Sequence, residues 1–419
     1  MSKMKVDPAI CMNTKHKDKM SRVNKAKRVR LGHESCSITR LAQTSPSEFC
    51  GFMERPERSQ TSQNSEVCAP ERRHMFGVAE QDPDFLRRGI RVRQFGQRII
   101  KLYGGKRIHP SWCIPGGVER TLDAAQRDEI TSWVPEAIES VQMALGRLKS
   151  LLDSFPDEIA HLGRFPSFFL ATVGEDGGLE YYDGRIRIVD NEGNVAAESL
   201  DPRRYQDFLA EASEEWSYMK FPYYKALGYP GGMYRVGPLA RLNVAKHAGT
   251  PLADREVREF KQRSTGSVAE SFHYHLARLI EMLHSVERIA ELMEDPELLG
   301  QRTVTRAMLN RTRGIGSCEA PRGTLFHDYE VDETGLMLHA NLLIATSQNN
   351  LAINRAVEQA ARRFVNPLRL EEGMLNRVEA AVRCFDPCLS CSTHALGQMP
   401  MIVEIRRTNG EVVQRIERH

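Results

Sequence analysis

Three of the nine cysteines in this 419-residue chain, Cys384, Cys388 and Cys391, crowd into eight residues near the carboxyl end. The segment reads Asp386-Pro387-Cys388-Leu389-Ser390-Cys391-Ser392-Thr393-His394. A tight turn brings two thiolates three residues apart to one point, where they can grip a metal ion. His394 can add an imidazole from the same side. A bare C-x-x-C says little, but a motif with Asp386, Pro387 and His394 also fixed is far more specific. Three plainer readings stand beside it. Cys384 could join Cys388, Cys391 and His394 in a structural zinc site, which needs four ligands. A thioredoxin-like pair would open a helix after a core strand, whereas here a helical pattern precedes the motif and ALGQMPMIVEI follows. The cysteines could also be buried and inert.

With 41% hydrophobic and 27% charged residues the chain has the makings of a soluble globular protein with a large core. No stretch approaches the roughly 20 apolar residues a bilayer span requires. The opening MSKMKVDPAICMNTKHKDKMSR has no apolar segment of the secretory kind. We therefore expect a cytoplasmic protein with no membrane span, in which disulfides are disfavoured. The net charge of +3 is uneven: residues 1–50 hold eleven Lys/Arg against four Asp/Glu. A basic arm can contact nucleic acid, but it can equally be a solvated tail. No basic stripe with interleaved aromatics recurs later, so no nucleic-acid partner is expected.

Residues 1–70 show neither helical nor strand periodicity and read as linker or disorder. From about Phe76 caps, turns and periodic apolar positions begin to agree. The pattern predicts a helix over 83–103 with Phe85, Leu86, Ile90, Phe95, Ile99, Ile100 and Leu102 near one face. A loop dense in Gly and Pro follows. A long helix is expected over 121–153, with Thr121 as N-cap and Pro135 as a kink or restart. Residues 179–198 read as a meander: LEYY, the turn pair Asp183-Gly184, RIRIV, the turn NEGN, then VAA. Ser267 and Glu270 suggest a capping box for a helix running to about Met293 and ended by Asp295-Pro296. Further helices are expected over 347–364 and 371–384. The fold class is mainly α with small antiparallel β-sheets.

With the cysteine motif in view, the chain resembles the large subunit of nickel–iron hydrogenases, whose last paired cysteines lie in D-P-C-x-x-C-x-x-H. A second segment, Ser317-Cys318-Glu319-Ala320-Pro321-Arg322-Gly323, is similar to the E-A-P-R-G segment of that family. A third, Leu342 to Asn350, occupies the place of its strand-to-loop region; on its own this would be a core strand. Gly77-Val78-Ala79-Glu80-Gln81, Arg88-Gly89-Ile90-Arg91, Lys106 to Pro110 and Pro115-Gly116-Gly117-Val118 resemble the cytoplasmic, NAD-reducing branch. The resemblance covers about residues 71–419.

The resemblance implies a nickel held by four cysteine sulfurs, two of them shared with an iron that carries carbon monoxide and cyanide. Cys388 would be a terminal nickel ligand and Cys391 a bridge. His394 and the backbone of Leu342 would hold a nearby magnesium. Arg322 would lie over the centre and donate to one cyanide by a charge-assisted hydrogen bond, and Thr346 to the other. Such a site splits hydrogen heterolytically, since soft redox metals and a thiolate base supply what the reaction needs. The implied partners are an iron–sulfur small subunit, NAD-reducing diaphorase subunits and a maturation endopeptidase that removes residues 395–419 after His394. The body would be 71–394, although IVEIRRT also reads as an ordinary terminal strand. An alternative is a non-catalytic relative of the large subunit, serving a respiratory complex structurally.

The chain departs from the family at one place. The other two cysteines should come from an amino-terminal R-x-C-G-x-C, which this sequence lacks; Cys11, Cys36, Cys50 and Cys68 lie 25, 14 and 18 apart. A glutamate near that motif also has no match. The break falls near Pro70, which suggests that residues 1–70 are unrelated coding, from a frameshift or misplaced start. Two thiolates cannot hold the centre as four do, so impaired activity is expected.

Overall fold

The computed structural model describes residue 80, residues 82–388 apart from 108–109, 111, 115–116, 302, 305–310, 367 and 369–371, and residues 401–418 apart from 408. Residues 1–70, Cys391, His394 and the start of the tail thus lie outside the described residues.

The first helix, α1 (Pro83–Gly104), is capped by Asp82, whose Oδ1 accepts from the Phe85 amide, and ends at Gly105 in the left-handed region. Phe85, Phe95, Ile99 and Ile100 are buried as expected, but Ile90 faces outward. Helix α2 (Ala124–Ser154) starts two residues later than expected: Asp123, not Thr121, is the N-cap, in a reciprocal capping box with Gln126. Carboxylate and amide satisfy two otherwise orphaned amides together, which a lone Thr121 could not do. Pro135 does not restart the helix. It removes the hydrogen bond to Thr131, an exposed residue whose carbonyl water can serve.

The sheet region corrects the expected meander. Strands β1 (Phe168–Val173), β2 (Arg185–Val189) and β3 (Val195–Leu200) form an antiparallel run. The partner of RIRIV is therefore FFLATV, not LEYY. Leu179 makes only a bridge to Val173, and the chain then bends because the Glu180 carboxylate accepts from the amides of Tyr181 and Tyr182. A carboxylate that captures its own neighbouring amides competes with a ladder. The NEGN turn between β2 and β3 holds. A hairpin of β4 (Leu209–Glu214) and β5 (Ser217–Tyr224) follows, then β6 (Tyr234–Arg235), which completes the first sheet in parallel with β1.

Helices α3 (Pro238–Val244) and α4 (Pro251–Lys261) lead to α5 (His273–Met293). The Ser267–Glu270 capping box does not form. Ser267 Oγ donates to the Asp190 carbonyl instead, and α5 begins three residues after Glu270. Of its 21 residues, 18 are buried, as expected of a helix at the centre of a large domain. It packs against α2, α3 and α4. Arg278, Glu281, His284 and Glu287 lie among those buried residues and each must find a partner.

Beyond α5, β7 (Arg313–Ala320), β8 (Gly323–Val331) and β9 (Met337–Leu343) make an antiparallel sheet in the order β9-β8-β7. Then come α6 (Ala345–Gln348), α7 (Asn350–Phe364) and α8 (Glu372–Cys384), close to the two helices expected. The third candidate segment is thus strand only as far as Leu343. In the tail, β10 (Met401–Arg406) pairs with β11 (Val412–Arg418). A second apolar cluster, including Leu170, Ile186, Tyr205, Tyr234, Phe326 and Leu343, ties the two sheets together. The result is mainly α with small antiparallel sheets.

Candidate metal centre

Two segments distant in sequence meet at one point. Arg322 stands in the turn between β7 and β8, and its Nε donates to the Asp386 carbonyl at 2.6 Å. The guanidinium also pairs with the Asp386 carboxylate, at 3.1 Å to Oδ1 and 3.0 Å to Oδ2. Both side chains are largely shielded, at 21% and 13% exposed. Asp386 itself takes a φ of +49°, a left-handed conformation that Asp tolerates better than most residues. Such a kink, fixed by an arginine, turns the chain abruptly just before Pro387 and Cys388.

Cys388 is half-buried, and its amide donates to Thr346 Oγ1 at 3.0 Å. Thr346 lies on α6, buried. Of the candidate residues, then, Arg322, Thr346 and Cys388 converge. Leu342 lies on edge strand β9 opposite His327, 44% exposed. Cys391 and His394 lie outside the described residues. Among the described residues no three His, Cys, Asp or Glu gather as a metal cage.

The other thiols are held differently. Cys384 is fully buried, and its Sγ donates to the Ala380 carbonyl within α8. Burial, with Glu319 adding to it, pushes the Cys318 thiol up to about 11, so it stays protonated at neutral pH and is a poor ligand.

A buried charge cluster holds the turn beneath Arg322, and reasoning from the sequence missed it. Arg241 on α3 is 1% exposed and engages both carboxylate oxygens of Glu281, at 2.6 and 2.7 Å. It also reaches Glu319 Oε2 at 3.0 Å. Burial alone would work against its charge, but Glu281 and Glu319 more than offset that and raise its pKa. Glu319, fully buried, accepts from the Thr172 amide and from Thr324 Oγ1. Two glycines let the turn approach. A Cβ on Gly237 (φ +98°) would stand 2.6 Å from the Arg322 carbonyl, and one on Gly323 (φ +146°) 2.4 Å from Val236. The legible signal was charge inside apolar runs, in PLARLNV and in HYHLARLIEMLHSVERIAELM.

Replacing Thr346 by valine should take this acceptor from the Cys388 amide in a shielded place and cost about 1–3 kcal/mol. Denaturant unfolding should show the loss in Thr346→Val and not in Thr346→Ser; equal stability of Thr346→Val and the parent would refute the importance of this contact.

The family model described as nickel-dependent hydrogenase matches residues 171–394. The NAD-reducing hydrogenase HoxS subunit beta of Cupriavidus necator is 39% identical over 355 residues, covering 82% of this chain and 72% of that protein. An F420-non-reducing hydrogenase of Methanothermobacter thermautotrophicus contains a chain 35% identical to this one, covering 82% of this chain and 73% of its own length. Among solved structures, an NAD+-reducing [NiFe]-hydrogenase in the H2-reduced state superposes with a TM-score of 0.82 at 38% identity, covering 89% of this chain and 80% of the other.

Proposed function

This chain belongs to the nickel-dependent hydrogenase family, and from that premise we propose that it is the large subunit of a cytoplasmic, NAD-linked enzyme whose metals sit on Cys388 and Cys391. Members of the family are oxidoreductases acting on hydrogen, with nickel and iron as metals. The observation that carries the reading is the Arg322–Asp386 contact. It joins two motifs 64 residues apart in sequence within two residues of Cys388. Among the described residues no helix is long and apolar enough to cross a membrane.

The groups present suit a soft metal pair on one side only. Cys388 is a soft donor, and its thiolate can also take a proton. Cys391 would be the second sulfur donor, and His394 with the Leu342 carbonyl would hold magnesium. When bound, the centre supplies heterolytic cleavage of hydrogen. Arg322, steadied by Asp386, offers a charged donor to an iron-bound cyanide. Thr346 accepts from the Cys388 amide, which leaves its own O–H free to donate to a second cyanide. Carbon monoxide would be a further ligand of the iron. An iron–sulfur small subunit carries the electrons, diaphorase subunits deliver them to NAD, and an endopeptidase trims the tail after His394. The missing R-x-C-G-x-C leaves the metals with half their thiolates, so turnover by this chain is impaired.

Cobalt(II) added to the reduced chain tests the ligand set. Thiolate-to-cobalt absorption should appear, vanish in Cys388→Ser and Cys391→Ser, and survive in Cys384→Ser. Bands that persist in Cys388→Ser would remove the proposal; bands lost in Cys384→Ser would point to the four-ligand zinc site.

A further inference from the structure

Three residues on one face of α5, Tyr274, Arg278 and Glu281, reach both segments that meet at Arg322 and Asp386. Their spacing of four and then three residues aligns them along the helix. Tyr274 packs its ring 4.9 Å from that of Phe385, and its hydroxyl donates to the Val236 carbonyl. Arg278, 3% exposed, donates to the Cys384 carbonyl at 3.1 Å. Glu281 acts through Arg241. That guanidinium directs two N–H groups to Glu281 and one to Glu319. The remaining two go to the backbone carbonyls of Ala320 at 2.8 Å and Pro321 at 3.0 Å.

All five guanidinium donors are thus used, and the last two fall on the peptide units immediately before Arg322. A lysine has three donors and no planar fork, so it cannot serve both carboxylates and both carbonyls. Buried charge in this patch balances, two arginines against two glutamates, which makes the cluster tolerable in an apolar interior. Loop carbonyls are commonly left to water; these two are gripped by an arginine that an apolar side chain could replace only by abandoning them.

We propose that Arg241 is a positioning residue for Arg322: with Glu281 as its anchor on α5, it fixes the Ala320–Pro321 turn so that the Arg322 side chain meets Asp386 beside Cys388. Arg278 and Tyr274 fix the opposing segment, Cys384 and Phe385, from the same helix face. The helix therefore acts as the common reference for two parts of the site. The functional meaning rests on the reading of Arg322 and Cys388 given above. The positional claim does not, and it is read without any metal.

Hydrogen exchange followed by mass spectrometry on the full chain provides the test, with Arg235→Lys as control. Arg235 is as deeply buried, but its guanidinium holds the carbonyls of Gly163, Phe165 and Ala269, none of which belongs to the turn. In Arg241→Lys, amides of residues 318–324 should exchange at least about tenfold faster through local opening, while Arg235→Lys leaves them within about twofold. A thermal double-mutant cycle supplies a second readout that a merely structural role would not move. The loss of midpoint caused by Asp386→Asn should shrink by at least about half in the Arg241→Lys background, although Arg241 holds Ala320 and Pro321 while the Asp386 carboxylate holds Arg322 itself. Unchanged exchange at 318–324, equal acceleration in both lysine variants, or strict additivity in the cycle would each overturn the proposal. Should Arg241→Lys fail to fold, Glu281→Gln takes its place with the same readings. If the cobalt titration fails while these results hold, the metal reading falls and the positioning role stands.

Discussion

Hydrogen uptake and evolution by this chain, purified after co-expression with maturation machinery and a small subunit, are expected to run at least about a thousandfold below those of a four-thiolate relative, because groups that act as a unit fail as a unit. The expectation follows from counting donors. In the proposed ligand set Cys388 and Cys391 supply two of the four sulfurs, and no R-x-C-G-x-C exists in the sequence to supply the rest. Water would fill the open positions, and nickel should copurify well below one equivalent. Joining a segment with R-x-C-G-x-C ahead of residue 71 should restore both metal content and turnover. One equivalent of nickel together with hydrogen evolution by the unaltered chain would contradict the argument. Failure of the joined segment would show that the defect lies in the body instead.

Arg241→Met is expected to cost about 3–5 kcal/mol, because breaking a buried ion cluster from one side leaves charge without compensation. Glu281 and Glu319 are 2% and 0% exposed, and both would face each other without the guanidinium between them. The deficit should also depend on pH. Burial already raises the Glu281 pKa in the native protein, against the opposing pull of Arg241. Without Arg241 the folded-state value of the Glu281 carboxyl moves further above its unfolded one, and the folded variant binds an extra proton. A raised folded pKa contributes stability that is present at low pH and lost as pH rises through it. The gap between variant and parent should therefore be widest near pH 8 and narrow toward pH 5. Urea unfolding of both proteins at the two pH values measures it. A gap independent of pH, or one under about 1 kcal/mol, would show that the cluster is not held as a charged unit.

Elements with a strong local cause were legible. Helix α1 follows from its apolar face and the Asp82-Pro83 start, and α5 ends where Asp295-Pro296 was expected to end it. The NEGN turn worked because its glycine sits at φ +85°. Errors arose where two local signals competed. Asp123 outdid Thr121 as a cap, and Glu180 drew LEYY out of the sheet. FFLATV was overlooked as a strand because a short apolar run buried from Phe169 onward carries no alternation to mark it.

The site divides along the same line. Cys388 could be named from motif spacing, which is a property of neighbours in sequence, and Arg322 and Thr346 from the resemblance to a known family. That Asp386 is the partner of Arg322, that Thr346 holds the Cys388 amide, and that Arg241 grips the turn from below were decided only by tertiary structure. Each of these contacts joins residues 42 to 80 positions apart. Local propensity carries no information over that distance. Only the burial of α5, which forces Arg278 and Glu281 to find partners in the interior, selects which distant groups they hold.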